Sequence, residues 1–61
     1  MDQQTALKQA RRNANKRQET MIVFHDENYG TFDYCSESHY DYLLDTNQLS
    51  EGDLIAVVNP R

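Results

Sequence analysis

The stretch that decides the fold is residues 21–35, MIVFHDENYGTFDYC. Two runs rich in β-branched and aromatic residues, MIVFH and TFDYC, flank a polar segment that ends at Gly30. Glycine adopts positive φ at low cost, so the pattern predicts a β-hairpin with a loop at residues 26–30. Pairing Phe24 with either Phe32 or Tyr34 keeps one face of the hairpin apolar, so two registers stay open. The face that we expect to be buried carries Ile22, Phe24, Phe32 and Tyr34.

After the hairpin, the spacing of the apolar residues changes from that of a strand to that of a helix. Tyr40, Leu43 and Leu44 stand at i, i+3 and i+4, the spacing of one helix face, and Ser36 or Ser38 can cap the start. The pattern predicts a short helix at residues 37–46 whose apolar side covers the hairpin. A rival interpretation is a third strand, because alternate residues from Tyr40 to Leu44 are also apolar.

The last part of the chain predicts a turn and a strand. Residues 50–53, SEGD, have the composition of a turn, and residues 54–58, LIAVV, are the most apolar run. A strand that is apolar on both faces is usually central or covered on both sides. The fold class that we predict is α+β, with an N-terminal helix or arm, a β-hairpin, a short helix and a final strand in a small antiparallel sheet.

The N-terminal segment predicts a helix with little apolar surface. Residues 2–20 contain no proline or glycine and are rich in helix formers. One side of that helix would carry Ala6, Leu7, Ala10, Ala14 and Met21. Alanine buries little area, so two interpretations stay open: a packed helix, or a solvated and frayed arm. On this basis we divide the chain into a basic helical arm, residues 1–20, and a small acidic α+β domain, residues 21–61.

Charge is split between these two segments. The chain has a net charge of −4, but residues 1–20 hold five Lys or Arg and two acids, and residues 21–61 hold one arginine and eight acids. Carboxylates interleaved with tyrosines suit a protein-binding surface, because the rings supply area and the charge supplies steering. Our main expectation is a small non-enzymatic regulatory protein that binds a protein partner, in the extreme case as a nucleic-acid mimic. The partner-binding residues predicted are Asp33, Glu37, Tyr40, Asp41, Tyr42 and Asp45.

The alternative is nucleic-acid binding through the basic helix. Residues 5–19 carry five cations with Asn13, Asn15 and Gln18 among them. This segment resembles the arginine-rich helices with which lambdoid-phage antitermination proteins bind RNA hairpins, and the resemblance implies RNA or DNA as a ligand. The small size and the charge split also resemble accessory proteins of phages and plasmids. The nucleic-acid-binding residues predicted are Lys8, Arg11, Arg12, Lys16 and Arg17.

The residue types and their spacing disfavour several functional classes of protein. The glycines stand singly, and the catalytic residue types Ser36, Ser38, His39 and Asp41 share one short segment, so we expect no enzyme and no cofactor. Zinc would need four converging ligands, whereas both registers separate His25 from Cys35 by about 7–13 Å, so we expect no metal.

No apolar run nears the ~20 residues of a membrane span. A lone cysteine favours the cytoplasm. A homodimer or an obligate complex with a partner, joined through the N-terminal helix or an edge strand, is expected from the small size.

Overall fold

The structure, a computed structural model, describes residues 1–27, 29–49 and 51–61. It contains α1 (Gln3–Arg17), β1 (Met21–Asp26), β2 (Thr31–Ser36), α2 (Glu37–Asp45), a 3-10 turn (Glu51–Asp53) and β3 (Leu54–Val58). The strands form an antiparallel sheet in the order β2-β1-β3. The predicted α+β fold is confirmed, and α2 is a helix rather than a third strand. Asn28 of the predicted loop and Ser50 of the predicted turn lie outside the described residues.

One helix packs on each face of the sheet, so the protein has three layers. Alternate residues of a strand point to opposite faces. Met21 and Val23 of β1 are fully buried in the cluster under α1, and Ile22 and Phe24 are buried with Tyr40 under α2. All four residues at the start of β1 are therefore core residues, and β1 is the central strand of the sheet.

The register of the hairpin differs from both registers that we expected. Val23 is opposite Tyr34, and His25 is opposite Phe32. Phe32 and Tyr34 therefore lie on the α1 face, while Ile22 and Phe24 lie on the α2 face. The predicted single buried face is wrong because both faces of β1 are covered, so burial of one face does not specify the pairing. Gly30 does take positive φ, 64°, as predicted.

The alanine side of α1 is the buried side. Ala6, Ala10 and Ala14 have no exposed surface and face Met21, Val23 and Val58 of the sheet. Each alanine buries little area, as expected, but small side chains allow a helix to pack closely on a sheet. The packed-helix interpretation of this segment is confirmed, and the frayed-arm interpretation is wrong.

Polar contacts join α1 to the strands along its length. Just before the helix begins, the Met1 carbonyl accepts the backbone N–H of Phe32 at 3.0 Å. Farther along, the side-chain amide of Asn13 donates to the Tyr34 hydroxyl at 3.1 Å. In the middle of the helix, the Arg11 guanidinium donates to the Asn59 carbonyl, just after β3, at 2.7 Å. A 15-residue helix is marginal by itself in water, so packing and these contacts stabilise α1.

The final strand is at an edge of the sheet, not at its centre. β3 pairs with β1 on one side and has no neighbouring strand on the other among the described residues. Ala56 and Val58 face α1, but α2 lies over β1 and β2, so Val57 on the opposite face is exposed. The expectation of a strand covered on both sides is wrong, because among the described residues α1 covers one face of β3 while α2 packs mainly on β1 and β2.

We predict that acid weakens the N-terminal cap of α1. The Asp2 carboxylate accepts the Thr5 amide N–H at 2.7 Å, and this hydrogen bond, followed by one from the Thr5 side chain, lowers the pKa of Asp2 below its usual 3.8. Because the pKa of Asp2 is lower in the folded state, its ionised carboxylate stabilises the fold at pH values above the unfolded-state pKa. This stabilisation is lost as the pH falls through the folded-state pKa.

Comparison of the parent with Asp2→Asn measures this effect, because asparagine also caps helices but does not titrate. Urea unfolding of both proteins at about pH 5 and about pH 2 should show a parent advantage only at the higher pH. An equal difference in unfolding free energy at both pH values would contradict the prediction.

Candidate partner-binding faces

The acidic face of the protein is built on α2. Glu37, Asp41 and Asp45 stand at i, i+4 and i+8, and all three are exposed. Like charges at i, i+4 destabilise a helix, and an acid in the last turn opposes the helix dipole. None of these carboxylates has an ion-pair partner in the described part of the chain. Glu37 in the first turn favours the helix dipole, so the cost to stability falls on the repulsion along the row and on Asp45 in the last turn.

An aromatic pair lies beside this row. Tyr42 is 56% exposed, and its ring stacks on His39 with the centroids 6.1 Å apart and the planes at 29°. The two rings lie three residues apart on the outward side of α2, which explains why they meet. Tyr42 thus presents a rigid apolar ring among carboxylates. We call Asp33, Glu37, Asp41, Tyr42 and Asp45 the acidic face.

Two of the residues predicted for partner binding, Asp33 and Tyr40, lie outside the exposed row on α2. Asp33 is exposed on β2 opposite Phe24, on the same side of the sheet as α2, and its carboxylate accepts the Tyr34 N–H at 2.8 Å. Tyr40 is 7% exposed and packs against the Phe24 ring, with the centroids 6.4 Å apart. Tyr40 is therefore a core residue. The other five predicted residues lie on one side of the protein.

The basic residues of α1 form a second charged face. Lys8, Arg12 and Lys16, at i, i+4 and i+8, lie opposite the buried alanines and are exposed. We call these three the basic face. The other two predicted cations have contacts within the chain: Arg11 holds the Asn59 carbonyl, and Arg17 lies 4.0 Å from a carboxylate oxygen of Glu19.

The sheet separates the two charged faces. With about 10 Å for each packed layer, the axes of α1 and α2 are roughly 20 Å apart. The Debye length at physiological salt is about 8 Å, so neither face neutralises the other through solvent. The acidic segment therefore does not prevent an anion from approaching α1, nor does α1 prevent a cation from approaching α2.

His25, Glu27 and Asp53 are the described residues that could hold a metal ion. Their ligand atoms lie within 4.8 Å of one another. The pairing of β1 with β3 shifts by one residue after Val23, so Phe24 is opposite Leu54 and the next position brings Asp53 to His25. Sequence analysis missed this cluster because no spacing rule brings residues 25 and 53 together. It joins His25 to two carboxylates rather than to Cys35 or His39.

The Cys35 thiol and the Ser36 hydroxyl, both near the start of α2, have structural roles. Burial, and then the nearby Asp33 carboxylate, raises the pKa of the Cys35 thiol to about 11. A thiol with so high a pKa is protonated at neutral pH and is a weak nucleophile. The Ser36 hydroxyl caps α2 by accepting the His39 N–H at 3.3 Å. These groups are accounted for by packing and capping.

Comparison of the chain with protein-family models, curated proteins and solved structures finds no match. In the described part of the chain, neither helix has the length and apolar character needed to cross a membrane.

Proposed function

We propose that this is a small non-enzymatic regulatory protein that binds a basic surface of a protein partner through the acidic face. The observation that carries the proposal is the exposed row of carboxylates on α2, without an ion-pair partner among the described residues, beside the exposed Tyr42 ring. A feature that lowers the stability of its own helix and forms no internal contact is typical of a functional surface.

The chemistry of the acidic face fits a partner rich in lysine or arginine. Cations of the partner would relieve the repulsion along α2, and opposite charges would accelerate the encounter. Tyrosine is among the residue types that contribute most to binding energy at interfaces, because its ring buries a large area with little loss of rotamer freedom. In this proposal Tyr42 is the anchor and the carboxylates provide steering and selectivity.

A reducing compartment is part of the proposal. Cys35 is a free thiol in the structure, which agrees with a cytoplasmic protein. The small size and the separated charges suit an accessory protein of a phage or plasmid that acts on a host protein.

The second candidate function is nucleic-acid binding through the basic face. Specific support comes from Lys8, Arg12 and Lys16, which project from a helix already folded against the sheet. A preformed helix does not lose ordering entropy on binding, unlike a disordered arm. Roughly three phosphate contacts would give a log–log salt slope of about −2 to −3.

Two charge-reversal variants test both candidates in one experiment. Asp41→Lys with Asp45→Lys reverses the acidic face, and Arg12→Glu with Lys16→Glu reverses the basic face by the same number of charges. Each tagged protein is used to recover partners from a bacterial lysate with and without nuclease. We expect a protein partner to be retained after nuclease, lost by the first variant and kept by the second.

Association kinetics with the recovered partner should then distinguish steering from anchoring. Reversal of the acidic face should slow association at low salt by about 10-fold or more. Tyr42→Ala should instead mainly accelerate dissociation. Recovery of RNA or DNA only, abolished by reversal of the basic face, would establish the second candidate and exclude the first. Circular dichroism melts of each variant check that the fold is intact.

A further inference from the structure

One imidazole and two carboxylates converge at the end of the sheet, outside both charged faces. His25 lies near the end of β1, Glu27 follows that strand, and Asp53 comes just before β3. One ligand atom of each residue lies within 4.8 Å of the other two. The His25 ring contacts Phe32, which packs with the cluster under α1, so this group is on the α1 side of the sheet. The acidic face is on the other side.

The register shift between β1 and β3 is what brings these residues together. Just before Phe24, β3 has one extra residue, Ile55, that has no opposite residue on β1. In an unshifted pairing Leu54 would be opposite His25, and Asp53 would project to the other face of the sheet. The extra residue brings Asp53 to the side of His25 instead. Such irregularities re-aim side chains, and they are frequent beside functional sites.

Burial of Asp53 is a second and independent observation. Its residue is only 8% exposed, and it is the buried charged residue of the described part of the chain. A buried carboxylate loses hydration, and the Glu27 carboxylate beside it adds repulsion. No lysine or arginine within residues 1–27, 29–49 and 51–61 forms an ion pair with Glu27. A divalent cation held between the two carboxylates would offset both the lost hydration and the repulsion.

We propose that His25, Glu27 and Asp53 bind a zinc ion. Imidazole nitrogen and carboxylate oxygen are both zinc ligands, and imidazole suits zinc better than it suits calcium or magnesium, which prefer oxygen alone. Three protein ligands leave the fourth tetrahedral position to water. The expectation of no metal rested on the distance from His25 to Cys35, and this site does not use that cysteine.

The observed spacing requires only a small adjustment to hold the ion. Zinc bonds of about 2.0–2.2 Å place tetrahedral ligand atoms roughly 3.3–3.6 Å apart. The exposed Glu27 side chain can close the remaining distance by changing rotamer, while His25 and Asp53 are positioned by the paired strands. The bound ion would join the end of β1 to the start of β3. It would therefore stabilise the fold, because the unfolded chain does not bring residues 25 and 53 together.

Calorimetric titration of the untagged full chain with zinc chloride, after treatment with a chelator, tests the site. We expect one zinc ion per chain and no comparable binding of magnesium chloride. Glu27→Gln should weaken zinc binding by about 10-fold or more, because even loss of a group that only orients a ligand costs 10–100-fold. Glu19→Gln makes the same change at another exposed glutamate and should bind like the parent. Both positions are exposed, so the fold should persist in each variant.

The two histidines provide a second comparison. His25→Gln should lose most zinc binding, whereas His39→Gln, on α2, should keep it. In nuclear magnetic resonance spectra zinc should shift the imidazole signals of His25 and leave those of His39 unchanged, and it should raise the Tm of the parent more than that of Glu27→Gln.

Three results would overturn the proposal. The first is no zinc binding by the parent up to about 100 µM, the weak end of specific association. The second is equal affinity in the parent, His25→Gln and Glu27→Gln. The third is binding that Cys35→Ser or His39→Gln abolishes. None of these results bears on the acidic face, since the zinc titration uses the purified chain without a partner.

Discussion

Replacing Phe24 with alanine should destabilise the protein by about 3–5 kcal/mol, the usual cost of truncating a buried phenylalanine. Phe24 lies on the central strand and packs against the ring of Tyr40, in a cluster against which Leu43 and Leu44 also pack. A domain of this size has a total stability of about 3–9 kcal/mol at the usual value per residue. We therefore expect the variant to unfold at a much lower urea concentration than the parent.

Urea unfolding followed by circular dichroism measures this loss, with Phe32→Ala as the matched control. Phe32 is also a phenylalanine on a strand, but it is half-buried at the outer strand β2 and contacts His25, with the ring centroids 5.0 Å apart. Its truncation should cost clearly less than that of Phe24. An equal or larger loss for Phe32→Ala would show that the α1 face, rather than the α2 face, holds the dominant core.

Replacing Ala10 with leucine should destabilise the protein by about 1–3 kcal/mol through overpacking. Ala10 has no exposed surface and lies in the middle of the alanine stripe between Ala6 and Ala14. Leucine is as good a helix former as most residues, so intrinsic helix propensity hardly changes. The added side chain has no space between α1 and the sheet, and the helix must move outward, which lengthens contacts such as that of Arg11 with Asn59.

Arg12→Leu is the matched control, because it places the same side chain on the exposed side of the same helix. A surface substitution of this kind changes stability by about 0.5 kcal/mol or less. Thermal unfolding of both variants should thus separate the effect of burial on stability from the effect of helix propensity. If Ala10→Leu were as stable as the parent, α1 would not pack on the sheet through its alanines.

The elements of this fold were predicted well because each depends on local pattern. Residues 54–58 were expected as a strand and form β3, and the helix expected at residues 37–46 is α2, Glu37–Asp45. The i, i+3, i+4 spacing of Tyr40, Leu43 and Leu44 was sufficient for that helix, since it produces one apolar side whatever lies opposite. The exposed side chains of the acidic and basic faces were also foreseen. Tyr40 had been assigned both to the side of α2 that covers the hairpin and to the partner surface, and only the first assignment is confirmed. Arg11 and Arg17 have contacts within the chain, which the sequence did not predict.

What the sequence by itself determined is therefore the identity of the elements and the separation of charge between their exposed sides. Only the tertiary structure decided the pairing of β1 with β2, the docking of α1 and the edge position of β3. The physical reason is the same for all three. Met21, Ile22, Val23 and Phe24 are apolar without interruption, so β1 can be covered on one face or on both. Because α1 packs through its alanines, it covers the second face of β1, and Phe32 and Tyr34 lie on that face rather than with Phe24. Among the described residues α2 packs mainly on β1 and β2, so the α2 side of β3 stays exposed at Val57.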